Sequence, residues 1–135
     1  MGQSVTSAPL AVNTPEAPAP VGPYNQAVQA GGWLYCSGQI ALDPRSGELV
    51  GAGDVARETD QVLRNLRAVL QQAGAGPDQV VRTTVYLVDL ADFSTVNRLY
   101  AEVFGAGVAP ARACVQVAAL PKGARVEIDA VACLL

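Results

Sequence analysis

The chain has 135 residues, half of them hydrophobic and 16% charged, with a net charge of −3. A chain of this length buries roughly two thirds of its unfolded surface, so a single domain with its own core is expected and a disordered chain is excluded. It contains no histidine, which excludes every catalytic arrangement with a His base and every His-ligated metal site.

The acidic balance, with a pI of about 4.7, argues against nucleic acid or an anionic lipid surface as the main partner. No apolar run is long enough to span a bilayer. The three cysteines, Cys36, Cys114 and Cys133, form no CxxC pair, so zinc, iron–sulfur and thioredoxin-like readings fail, and a reduced, cytoplasmic protein fits.

Residues 1–18 read as a mobile tail or an extended edge strand, and 19–135 as the domain. Met1 to Thr6 match the myristoylation pattern, but no basic patch or second anchor follows, so a chance match is the expectation. Val28 to Ala30 and Trp33 to Ser37 flank Gly31-Gly32 as a hairpin. Asp43 to Gly47 is a turn, and Glu48 to Val50 reads as a brief strand. From Gly53 to Ala73 the apolar residues Val55, Val62, Leu66, Val69, Leu70 and Ala73 recur at three- and four-residue steps, predicting a helix with Asp54 as its cap and Gly74 as its left-handed stop. Val80 to Val88 is a strand by its β-branched content. Asp92 opens a second helix with Phe93, Val96, Tyr100, Val103 and Phe104 as its buried stripe, ending at Gly105. Ala111 to Ala118 and Ala124 to Leu134 are strands separated by a turn at Leu120 to Gly123. The order predicts an α+β domain with both helices on one sheet face. Apolar residues in both phases of the strands predict a second covered face, hence a homo-oligomer.

The pleat puts Arg112, Cys114 and Gln116 on one side of their strand and Arg125, Glu127 and Asp129 on one side of theirs. Facing each other across a cleft, these rows would set an anion-binding arginine beside an acid–base carboxylate; the same rows also describe a plain surface ion pair. Gly38, after Ser37, permits close backbone approach by a ligand or simply marks a bulge. Tyr24 can cap a pocket or sit half-buried in the core. Cys114 reads as an inert buried thiol in the absence of a base. Asn97 can hold a loop or a neighbour, or be solvated.

Taken in order, Gly22-Pro23-Tyr24-Asn25-Gln26-Ala27-Val28, Ser37-Gly38-Gln39-Ile40, Asp43-Pro44, Asn65-Leu66, Thr84-Val85, Val96-Asn97, Pro110-Ala111-Arg112, Cys114-Val115, Leu120-Pro121-Lys122 and Val126-Glu127-Ile128 resemble the RidA (YjgF-like) family of enamine/imine deaminases. The resemblance spans nearly all of Ala19 to Ala132. It implies a chorismate-mutase-like mixed sheet with two helices on one face, a homotrimer with a central barrel, and active sites in clefts between subunits. It also implies hydrolysis of 2-aminoacrylate-type enamines, as 2-imino acids, to 2-keto acids and ammonia without cofactor or metal. By the same resemblance Arg112 clamps the substrate carboxylate and Glu127 holds or activates water. Tyr24 lines the pocket from across the interface, Gly38 and Cys114 offer backbone groups, and Ser37 and Asn97 lie near the cleft. Gln116 and Asp129 stand where many members carry Glu, outside the core site. Three other readings remain open: deamination of one larger imine in a degradation pathway, non-catalytic sensing of 2-keto acids, and RNA or chaperone roles.

Overall fold

The computed structural model describes residues 8–135, so the myristoylation-like start lies outside the described residues. Asp54 begins the long helix as its sequence predicts. Its carboxylate accepts from the backbone N–H of Ala56 and Arg57 at 3.1 and 3.2 Å, satisfying donors that helix geometry leaves without partners. Helix α1 runs Val55–Gln72, and Gly74 closes it at φ +78, where a side chain would be strained. Helix α2 spans Phe93–Phe104 and buries Val96, Tyr100 and Phe104.

Six strands form one sheet: β1 (Leu10–Val12), β2 (Ala27–Ala30), β3 (Trp33–Gln39), β4 (Val80–Leu87), β5 (Ala111–Gln116) and β6 (Val126–Cys133), in the spatial order β1-β2-β3-β6-β4-β5. Every pairing is antiparallel except β4 with β5. That parallel pair requires a crossover, which α2 supplies. Both helices pack on one face, against Leu34, Val85, Leu87, Val126, Ile128 and Ala130, all buried. Strand β6 alternates strictly: Val126, Ile128, Ala130 and Ala132 are buried beneath the helices, while Glu127, Asp129, Val131 and Cys133 are half-buried on the opposite, open face. Tyr35 and Val115 stand exposed on that open face.

The segment expected as tail or edge strand contains β1, paired with β2. The buried Gln26 amide ties it down by donating to the carbonyls of Thr14, Ala17 and Pro18 at 3.0, 3.2 and 2.8 Å. Three expectations are corrected. Glu48 to Val50 forms only an isolated bridge, Leu42 to Leu49, because Gly51 at φ +66 turns the chain away. β5 ends at Gln116 rather than Ala118. β6 starts at Val126 rather than Ala124, because Lys122 and Gly123 take positive φ and the Arg125 N–H donates to the Glu58 side chain at 2.9 Å instead of to a neighbouring strand.

Candidate active site

Arg112 lies on β5, on the helix side of the sheet. Its guanidinium sits over the Tyr100 ring at 4.8 Å from the centroid and 5.5 Å from that of Phe93, and Nη1 donates to Asn97 Oδ1 at 2.7 Å. Tyr100 is itself fixed by a 2.6 Å hydrogen bond between its hydroxyl and Thr83. A planar cation is thus oriented by two aromatic faces and one neutral amide. Among the described residues it has no carboxylate partner: the ion pairs are Arg64–Asp60 and Arg125–Asp92. Arg112 opens onto a groove of about 390 Å³ that Asn97, Tyr100, Phe104 and Pro110 also line. Cys114 follows on the same side of β5. Burial pushes its thiol pKa up, against a smaller opposite pull from Arg112, so it stays a thiol. It is half-buried rather than enclosed.

Glu127 occupies the other half of the candidate site. It is half-buried on the open face of β6, beside Tyr86 of β4. Burial first, and the nearby Asp129 carboxylate second, raise its pKa above the ordinary glutamate value. Gly38 lies where the β3–β6 register shifts, between Cys36 and Gln39. A Cβ there would overlap the Glu127 carboxylate, so the glycine is required for Glu127 to stand where it does. These two residues line a cavity of about 340 Å³ with Tyr24, Ser37, Val21, Ile40, Leu42 and Pro121. Ser37 Oγ donates to the Asn25 carbonyl at 2.7 Å, and its N–H donates to the Gln26 carbonyl at 2.9 Å. Ser37 therefore anchors the loop that presents Tyr24, an exposed residue whose hydroxyl accepts from the Val21 N–H at 3.3 Å.

The structure brings Arg112, Asn97 and Cys114 together, and separately Glu127, Gly38, Ser37 and Tyr24. It does not bring the two groups together in one chain. The sequence left the Arg112 and Glu127 rows either to face one another across a cleft or to form a surface ion pair; within one chain they do neither, because β4 lies between β5 and β6, and the register sets Arg112 on the helix side with Thr83 while Glu127 lies on the open side with Tyr86. Phe93, expected in the buried stripe of its helix, is 39% exposed and serves instead as part of the bed for Arg112. The aromatic role of Tyr100 was equally hidden, since its helical spacing signals only burial. Asp129 shares the face of Glu127, as the pleat predicts, and acts on its charge, although the resemblance sets it outside the core site. Among the described residues, no group of three or more His, Cys, Asp or Glu side chains is placed to hold a metal ion.

Two helices on one face of a mixed six-stranded sheet define an α+β fold. The model of a family described as endoribonuclease L-PSP matches residues 14–134. A RutC family protein of Synechocystis sp. is 55% identical over 123 residues, covering 91% of this chain and 95% of that protein. The 2-iminobutanoate/2-iminopropanoate deaminase of Mus musculus is 53% identical over 121 residues, covering 90% of this chain and 88% of that protein. The crystal structure of E. coli TdcF with bound serine superposes with a TM-score of 0.87 at 37% identity, covering 92% of this chain and 98% of that one. The chain belongs to the RidA (YjgF-like) family.

Proposed function

We propose that this protein hydrolyses 2-imino acids to 2-keto acids and ammonia, in a site that two copies of the chain complete. The observation that carries the reading is Arg112, a guanidinium held in place by Tyr100, Phe93 and Asn97 with no counter-charge among the described residues. Such a group is prepared for a carboxylate, which it can grip through two parallel N–H donors. The deaminase name of the mouse relative and the amino acid in the TdcF structure support a small carboxylate as the ligand.

With the substrate carboxylate on Arg112, the imine carbon is fixed for attack. Glu127 orients a water and takes its proton as the oxygen bonds to that carbon. The imine enters protonated on nitrogen, so the adduct is a neutral carbinolamine; Glu127 returns its proton to that nitrogen, and as the C–N bond breaks the hydroxyl oxygen closes to C=O and gives its own proton back to Glu127. Water and imine become ketone and ammonia, with no oxidant or reductant involved. A carboxyl with a raised pKa suits both transfers. Because the two groups lie on opposite faces of the sheet in one chain, the second copy supplies whichever half the first lacks. The apolar open face, with Tyr35 and Val115 exposed, supports association into the expected homotrimer.

The test generates 2-iminopropanoate with an amino-acid oxidase, traps it with semicarbazide, and follows trapping with and without this protein. The expected result is less trapped imine, and no such effect from Arg112→Ala. Keto-acid binding without faster imine loss, across several imines, would reduce the protein to a sensor. Acceleration confined to one larger imine would favour the specialised deaminase.

A further inference from the structure

We infer that Asp129 is a positioning residue of this site, an anchored carboxylate that makes Glu127 the proton-carrying member of a two-carboxylate pair. The inference rests on the deaminase reading and deepens it. Both Asp129 oxygens are occupied by donors: the Thr84 N–H donates to Oδ1 at 3.1 Å and the Tyr86 hydroxyl donates to Oδ2 at 3.0 Å. Glu127 lies two residues back on the same face of β6, and among the described residues it has no hydrogen-bond donor and is half-buried. Tyr86 stands directly beside Glu127 in the strand register, yet its hydroxyl is spent on Asp129.

Within one chain the remaining groups around Glu127 do not offset the Asp129 charge, and the Arg112 of a second copy in the assembled site acts equally in the parent and in Asp129→Asn. β3 presents Gly38, with Tyr35 further along beside Val131. β4 presents Tyr86 and Thr84, and its Arg82 stands beside Val131, beyond Asp129. The loop before β2 presents Tyr24, and Lys122 of the turn before β6 is directed to the Gly47 carbonyl at 3.5 Å. One carboxylate is therefore anchored by two donors and its neighbour is left without any from the described residues. This asymmetry assigns the acid and the spectator in paired carboxyl sites. The chemistry needs it, because the amine leaves only after it gains a proton.

Asp129→Asn tests the inference. The amide oxygen can still accept from Thr84 and the amide N–H can donate to Tyr86, so the substitution removes charge with little change in shape. The acidic limb of the kcat/KM profile for 2-iminopropanoate should move to lower pH, corresponding to a roughly threefold drop in the proton affinity of Glu127. A carboxyl-carbon NMR titration should report the same shift without recourse to activity. Asp129→Glu keeps the charge and should keep the midpoint. In the unaltered protein the titration should place Glu127 above the ordinary glutamate value, a reading that requires no variant to fold. A Glu127 midpoint at or below the ordinary glutamate value, or one unmoved in Asp129→Asn, would overturn the inference. If the unaltered protein fails to speed imine loss, the deaminase reading falls, and the titration still tells whether the two carboxyls are coupled.

Discussion

Gly38 and Glu127 are two residues of one device. Substituting Gly38 by alanine places a methyl on the carboxylate of Glu127, and what it meets is the far end of a flexible side chain. Glu127 can swing away, so the fold should tolerate the change while the carboxylate loses its aim. Gly38→Ala is expected to lower kcat by roughly a hundredfold, the order of loss that follows from misplacing a reacting group by an ångström, with a Tm close to that of the parent. A large fall in Tm with kcat intact would show that the glycine serves the bulge alone. At this scale the sequence marks Arg112, Glu127, Gly38, Tyr24 and Asn97 through the ordered motifs that resemble the family, and the structure sets them in two separate groups. The sequence left hidden what holds them. The spacing of Phe93 and Tyr100 declares a helix face, and nothing local says that a guanidinium lies against it.

Among the elements, the junction of α1, α2 and β6 depends on Glu58. It is fully buried on α1 and accepts the Arg125 N–H at the entry to β6, and Arg125 in turn pairs with Asp92 at the start of α2 at 2.8 Å. Glu58→Ala leaves a backbone donor without a partner, which costs about 1–3 kcal/mol, and should lower Tm by several degrees. Glu58→Gln keeps the acceptor and should lose less. Burial raises the Glu58 pKa in the fold. A carboxyl with a raised folded pKa binds its proton more tightly in the native state, so its contribution to stability is complete below the unfolded value of 4.5 and is lost as pH rises through the folded value. Glu58→Gln should therefore flatten the decline in stability above pH 4.5, measured by denaturant unfolding across pH; an unchanged slope would assign that decline to other groups. Periodicity made both helices legible, as Val62, Leu66 and Leu70 on one face show. It could not reveal that β6 inserts between β3 and β4. Alternation says which residues share a face of one strand, while the choice of neighbouring strand is made by contacts remote in sequence.

For the whole molecule, the proposed function makes the open face of the sheet the place where a second copy would complete the site. An apolar and aromatic surface beside half-buried carboxylates is poorly suited to water and well suited to a second copy. Val115 is 42% exposed there, so Val115→Asp should leave each chain folded by circular dichroism, shift the protein toward monomer in sedimentation, and abolish imine hydrolysis. Activity retained by a monomer would place the whole site within one chain. Among the described residues no helix is long and apolar enough to cross a membrane. The net charge of −3 gives little attraction for a phosphate backbone.

The central claim is that Arg112 of one copy works with Glu127 of another, and subunit mixing tests it most directly. Arg112→Ala and Glu127→Gln are each expected to be inactive in the semicarbazide assay. Unfolded together in equal amounts and refolded, they form mixed oligomers in which roughly a quarter of the interfaces join an intact Arg112 to an intact Glu127, whatever the number of copies in the ring. The account predicts recovery of about that fraction of the parent rate. Mixed oligomers that form and remain inactive would contradict it.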